Sequence, residues 1–135
     1  MRLDFSAMLR AALPPFIVWA AAVLFVTFAG RQPGVVCVTP VAWLMACWVG
    51  MSCVARSRSD RKSALLTEAA LAGGVFGLLQ GVLFVVIAPY MGEIKPEERQ
   101  KMILLSAAMI VIGTAVSAFL SVAVGAAQAR RRAAK

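Results

Sequence analysis

Two polar side chains lie inside long apolar stretches of the sequence, where they could carry chemistry. Glu68 is the one acidic residue within an apolar run, and Gln80 is the one strongly polar residue near the middle of such a run. An ionisable group at membrane depth is a candidate for moving a proton or a cation. A buried amide can instead donate a hydrogen bond to a neighbouring helix. We therefore treat both residues as intramembrane polar candidates.

Each candidate has a structural and a functional interpretation. Glu68 is either an anchor that pairs with Arg61, Lys62 or water at the lipid surface, or a carboxylate coupled to a proton or cation. Gln80 either donates a hydrogen bond to Thr114, Ser117 or a backbone carbonyl, or contacts a ligand or ion. The structural interpretation is favoured for both, and no second carboxylate accompanies Glu68 at depth.

Catalytic chemistry has little support in this composition. The chain contains no histidine, which excludes histidine metal sites and Ser–His or Cys–His pairs. Its cysteines, Cys37, Cys47 and Cys53, share one apolar run without CxxC spacing, so we expect them to pack as small apolar groups. The sequence therefore predicts a protein that is not an enzyme, with no catalytic, cofactor-binding or metal-binding residues.

Four apolar runs, 13–29, 35–55, 64–90 and 102–128, supply the elements that would position these residues. Each reaches or approaches the ~20 residues that a helix needs to cross a bilayer. Hydrophobic residues make up 61% of the 135-residue chain and charged residues only 15%. We predict an all-α integral membrane protein: one domain over residues 1–135, folded as a four-helix bundle of two antiparallel hairpins.

The ends of the chain are predicted to lie at the membrane surface. Residues 1–13 suit a short interfacial helix, and the Pro14–Pro15 pair is expected to mark the corner where it turns into the first span. A signal peptide cleaved after Ala29 is the alternative for the first run, although Asp4 is unusual in such a segment. Residues 129–135 form a basic tail.

Small residues recur at four-residue intervals in the last two runs. In lipid, such ridges allow helix backbones to approach closely. The third run carries Ala69, Gly73, Gly77 and Gly81, and the fourth carries Gly113, Ser117, Ser121 and Gly125. We predict that these helix-packing residues join the third and fourth spans, with contact to a second copy or a foreign partner as the alternative.

A similar series in the second run points to internal duplication. Ala42, Ala46 and Gly50 parallel Ser117, Ser121 and Gly125, as two hairpins of the same orientation would require. The offset differs from that of a second matching stretch in the first and third runs, so duplication stays an open alternative.

Basic residues are concentrated on one side of the predicted bundle. Ten of the fourteen lie in the two tails and the second connector, which predicts cytoplasmic N- and C-termini in a bacterial inner membrane. Because these residues fall between spans rather than in a surface stripe, no nucleic-acid partner is expected despite a net charge of +8. Anionic lipid headgroups are the expected counter-charge for the tail, through Arg130, Arg131, Arg132 and Lys135.

The function that these features favour is that of an accessory, assembly or scaffolding component of an inner-membrane complex. Short connectors and small-residue ridges suit helix–helix contact with other membrane-protein subunits, or with further copies in a homo-oligomer. A small oligomeric channel or transporter is the alternative, and it would require Gln80, Glu68 or the Ser117–Ser121 line to face water. The sequence predicts no cofactor.

The predicted orientation can be measured with reporter fusions. Fusions at Arg31 and Gly92 should report the outside, and fusions at Ser59 and Lys135 the cytoplasm, because Lys and Arg in short loops are retained inside. A fusion at Lys135 that reports the outside would contradict the four-span orientation.

Overall fold

Helices account for nearly all of the chain that can be described. The computed structural model describes residues 5–28, 35–57, 61–87 and 99–134, and no strand occurs in those ranges. They form α1 (Phe5–Phe28), α2 (Val35–Arg56), α3 (Lys62–Ile87) and α4 (Arg99–Ala133). The all-α prediction is thereby confirmed. The cleavage site considered at Ala29, and Lys135 of the basic tail, lie outside the described residues.

Three of the helices contain stretches that are long and apolar enough to cross a membrane. These stretches are Phe5–Phe28, Lys62–Ile87 and Ile110–Ala133, and a shorter apolar stretch, Pro40–Arg56, lies in α2. Their length and composition suit a membrane protein.

The helices pack as one bundle with α2 and α3 at its centre. The most extensive contact joins α3 to α4, and α2 packs against each of the other helices. α1 packs against α2 and α3. Every helix is therefore held by at least two others, and the candidate residues on α3 and α4 lie in the largest helix–helix contact.

Many of the buried side chains are small, whereas many large apolar side chains lie on the surface. One buried cluster combines Met8, Ala11, Ala12, Ala46, Val49, Cys53, Ala72 and Phe76, and another combines Val54, Leu65, Ala69 and Ala129. Phe25, Phe28, Leu104 and Phe119 are each more than 70% exposed. So many large, exposed apolar side chains are unusual on a soluble monomer. They suit a protein surrounded by hydrocarbon.

The predicted corner at Pro14 and Pro15 is wrong, because α1 continues through both prolines without a break. Proline lacks an N–H, so Pro14 leaves the carbonyl of Arg10 without its usual donor four residues later. Arg56, in the last turn of α2, donates a hydrogen bond from Nη1 to that carbonyl. A side chain of the neighbouring helix thus replaces the missing backbone donor.

A second arginine donates hydrogen bonds to backbone carbonyls at the end of α2. Arg132, on the last turn of α4, donates from Nη1 to the carbonyl oxygens of Val54 at 3.3 Å and Ser57 at 3.2 Å. The last carbonyls of a helix have no intrahelical donor, so a cationic donor there is stabilising. We call the Arg56–Arg10 and Arg132–Val54/Ser57 contacts the arginine clamps. They join α1 to α2 and α2 to α4 at one end of the bundle.

The Arg56 clamp predicts a coupling between Arg56 and Pro14. Arg56→Met should lower the free energy of unfolding by about 1 kcal/mol, because the charge-assisted bond to the Arg10 carbonyl is lost. The loss should be smaller in a Pro14→Ala background, where the backbone N–H restored by the substitution can donate to the same carbonyl. The measurement is unfolding in mixed detergent micelles, followed by circular dichroism.

Arg130→Met is the control for that double-mutant cycle, because it removes an exposed arginine from the same end of the bundle. An equal penalty for Arg56→Met with and without Pro14 would show that the clamp does not serve the proline.

Candidate functional site at the junction of α2, α3 and α4

The structure brings the small residues of α3 and α4 into close contact. A Cβ placed on Gly73 would lie 2.5 Å from the Ser117 carbonyl oxygen, and one placed on Gly77 would lie 2.7 Å from Thr114 Cα. Real Cβ atoms essentially never approach other heavy atoms this closely. Any larger residue would therefore force the two backbones apart, and that loss of close packing is costly in lipid.

Ser121 marks the point where three helices meet. Its side chain is fully buried, and its hydroxyl donates a hydrogen bond of 2.8 Å to the Ala46 carbonyl oxygen on α2. A Cβ on Gly73 of α3 would lie 2.7 Å from Ser121 Cβ, and one on Gly50 of α2 would lie 2.7 Å from Ser121 Cα. We call Gly50, Gly73 and Ser121 the three-helix junction.

Sequence reasoning did not identify Gly50 as a packing residue. The signal was present, since Ala42, Ala46 and Gly50 follow the same four-residue interval as the ridges. We attributed that series to a repeat only. The structure places Gly50 and the Ala46 carbonyl against the middle of α4, so the second run also carries a packing ridge.

The ridges differ along their length. Near the clamped end, a Cβ on Gly125 would lie 3.2 Å from both Ala69 Cβ and Val54 Cγ2, which is a tight contact. Towards the other end, a Cβ on Gly81 would lie 3.1 Å from Ile110 Cα. α3 and α4 therefore approach closely from Ala69 to Gly81.

Gly113 departs from the predicted ridge. No heavy atom of the described residues lies within 4 Å of a Cβ placed on it, so packing among them does not require glycine here. Four residues turn a helix by about 40° beyond a full revolution, so a residue two steps from Ser121 is rotated by about 80°. Its backbone carbonyl still contacts α3 opposite Gly77.

The hydrogen bond predicted for the Gln80 amide is not formed. Within the described residues, Gln80 Nε2 and Thr114 Oγ1 are both buried atoms without a hydrogen-bond partner. Gly77 and Gly81 occupy the contact positions against α4. Gln80 is rotated by about 100° from Gly81 but by only about 20° from Gly73, so it lies on the same side of α3 as the ridge.

Glu68 lies deeper in the bundle than the sequence indicated. The side chain is 0% exposed, so it does not reach water at the lipid surface, which was one of the partners that the sequence allowed for it. Its neighbours one turn away on α3, Leu65 and Ala72, belong to the two buried clusters. Glu68 therefore faces the bundle interior, as ionisable residues of membrane helices usually do.

The remaining candidate residues divide between core and surface. In the part of the chain that the structure describes, no group of three His, Cys, Asp or Glu residues could hold a metal. Cys47 is half-buried, Cys53 lies in the core, and the side chain of Cys37 is outside the described set. Of the basic tail, Arg130 and Arg131 are exposed, whereas Arg132 forms the clamp at the end of α2.

No family model, no curated protein and no solved structure matches the chain. What the geometry defines is a class of site: a helix-packing junction built on small residues and one buried hydroxyl. It holds α2, α3 and α4 together.

The different surroundings of Gly77 and Gly113 provide a matched pair of variants. Gly77→Ala should lower the free energy of unfolding by about 1–3 kcal/mol, because the new methyl group overlaps the α4 backbone. Gly113→Ala should leave it unchanged or raise it slightly, since its Cβ enters open space. Detergent unfolding followed by circular dichroism measures both.

Leu78→Ala is a second control for that pair, because it truncates an exposed side chain next to Gly77. We expect it to be tolerated better than Gly77→Leu. Equal destabilisation by Gly77→Ala and Gly113→Ala would show that close approach at Gly77 is not what holds α3 to α4.

Proposed function

We propose that this chain is a small polytopic protein of the bacterial inner membrane that acts without catalysis, as an accessory, assembly or scaffolding component of a membrane complex. All four helices would span the bilayer as one bundle, with both termini in the cytoplasm. α2 has 22 residues and would be ~33 Å long, enough to cross the hydrocarbon beside the other three helices.

The packing of α1 and α2 supports a four-span arrangement. α1 buries Trp19 and Val23 against Ile87 of α3, so the first run is an integral part of the bundle. α2 contacts all three other helices and is clamped at its end by Arg132. A helix held along its length in this way would enter the bilayer together with its neighbours.

The observation that carries the scaffolding proposal is the burial of the polar residues that a channel would need. Ser117, Ser121 and Glu68 are each at most 3% exposed, enclosed among the helices. Large apolar side chains, including Ile17, Val111 and Phe119, instead cover the outside. Such a surface can contact lipid or a helix of another subunit.

A small oligomeric channel or transporter is the second candidate. Gln80 favours it, because its amide nitrogen is buried without a partner. An unsatisfied amide in hydrocarbon is costly, and water or a polar solute would relieve that cost. This candidate requires α3 and α4 to open beside Gln80 when copies associate.

The partners that this proposal implies are other membrane-protein subunits, or further copies of the chain, together with anionic lipid headgroups. Arg130 and Arg131 are exposed and suited to headgroups. Arg132 would serve mainly as the clamp on α2. No nucleic-acid partner is proposed.

Native gels after mild-detergent extraction separate the two candidates. The scaffolding proposal predicts a discrete hetero-complex that contains this chain in fixed stoichiometry. The purified chain in liposomes should then conduct neither ions nor solutes, because the polar residues are enclosed by the helices. A homo-oligomer whose conductance is abolished by Gln80→Leu would overturn the scaffolding proposal and establish the channel.

A further inference from the structure

Basic side chains from all four helices gather at the end of the bundle where the arginine clamps lie. The Arg56 clamp sets the end of α2 beside Arg10 of α1. Leu65 shares a buried cluster with Val54 and Ala129, which places the first turn of α3 beside the ends of α2 and α4. The exposed basic residues at this end are Arg10, Arg56, Arg61, Lys62, Arg130, Arg131 and Arg132.

Basic side chains outnumber acidic ones in this part of the structure. Within the described ranges the one acidic residue is Glu68, and its carboxylate is enclosed by the bundle. Like charges held close together repel, and the repulsion grows where low-dielectric protein and lipid lie nearby. Arg56 also uses only Nη1 in its clamp, although a guanidinium carries five N–H donors. The cluster therefore has both an excess of positive charge and spare donors.

An apolar line leads away from this cluster along α1. Leu13 and Ile17 follow Arg10 at helical spacings of three and seven residues, and both are exposed. Residues at these spacings share one face of a helix. The face thus presents a guanidinium followed by aliphatic side chains, which matches the order of phosphate and acyl chain in a phospholipid.

We propose that the clamped end of the bundle holds an anionic phospholipid. Its phosphate lies among Arg10 and Arg56 on one side and Arg61 and Lys62 on the other, and an acyl chain lies along Leu13 and Ile17. Guanidinium groups recognise phosphate oxygens with two parallel hydrogen bonds, and a bound phosphate offsets the repulsion among the cations. The site rests on the proposed membrane location, and it is separate from the headgroup contacts of the C-terminal tail.

The proposed site can be tested by measuring which lipids the protein retains. The full chain is reconstituted in vesicles of equal phosphatidylcholine and phosphatidylglycerol, extracted in mild detergent, and its retained lipids are quantified by mass spectrometry. Wild type should retain phosphatidylglycerol in excess of its share. Lys62→Gln should reduce that enrichment by about fivefold, the effect of one basic residue near the bilayer surface.

Lys101→Gln is the matched control, because it removes the same charge from an exposed residue on the first turns of α4, at the other end of that helix. The phosphatidylglycerol enrichment of this variant should equal that of wild type. Equal losses for Lys62→Gln and Lys101→Gln would show that net charge alone attracts the lipid, and no loss for either would show that there is no site. Both results overturn the proposal.

Two further measurements identify what the site binds. Leu13→Ser, which keeps the charge, should also reduce enrichment; an unchanged value would remove the acyl chain from the proposal. Inorganic phosphate added in excess should not abolish enrichment, and if it does, the site binds phosphate and not lipid. Should Lys62→Gln misfold by circular dichroism, Arg61→Gln replaces it. Reporter fusions that give the expected orientation while enrichment fails reject this site alone.

Discussion

The close approach of three backbones at Ser121 is the constraint on which the bundle depends. Gly50 and Gly73 leave no room for a side chain where α2 and α3 meet α4. The Ser121 hydroxyl also donates a hydrogen bond to the Ala46 carbonyl across the same contact. Between helices in lipid, packing contacts and a few interhelical hydrogen bonds replace the hydrophobic effect as the source of association. The positions of α3 and α2 relative to α4 are thus set by the absence of two side chains.

The backbone imposes a second constraint at the clamped end of the bundle. A mid-helix proline and a helix terminus both leave backbone carbonyls without intrahelical donors. Arg56 donates to the carbonyl that Pro14 leaves without a donor, and Arg132 donates to a carbonyl at the end of α2. Both arginines lie in runs of basic residues that would otherwise be explained by topology alone. The clamps show that basic residues at this end also hold helices together.

Features that local composition determines could be predicted from the sequence, whereas features that depend on contacts between distant residues could not. Helix positions follow from local composition, and α2 and α3 begin and end close to the predicted runs. The four-residue ridges predicted which faces of α3 and α4 could meet. Whether Gly113 faces α3, and whether Pro14 ends a helix, depends on partners distant in sequence. The sequence alone does not show which residues of the other helices those partners are.

Different side chains determine the stability of this bundle and the chemistry of its surface. Interior positions tolerate little change, because glycine, alanine and serine there define the distances between backbones. Exposed positions such as Val111 and Phe119 have no such restriction from within the chain. Their side chains could be chosen for a neighbouring subunit or for lipid without altering the fold. Small and polar groups inside the bundle therefore set the fold, and the apolar groups outside set what its surface can contact.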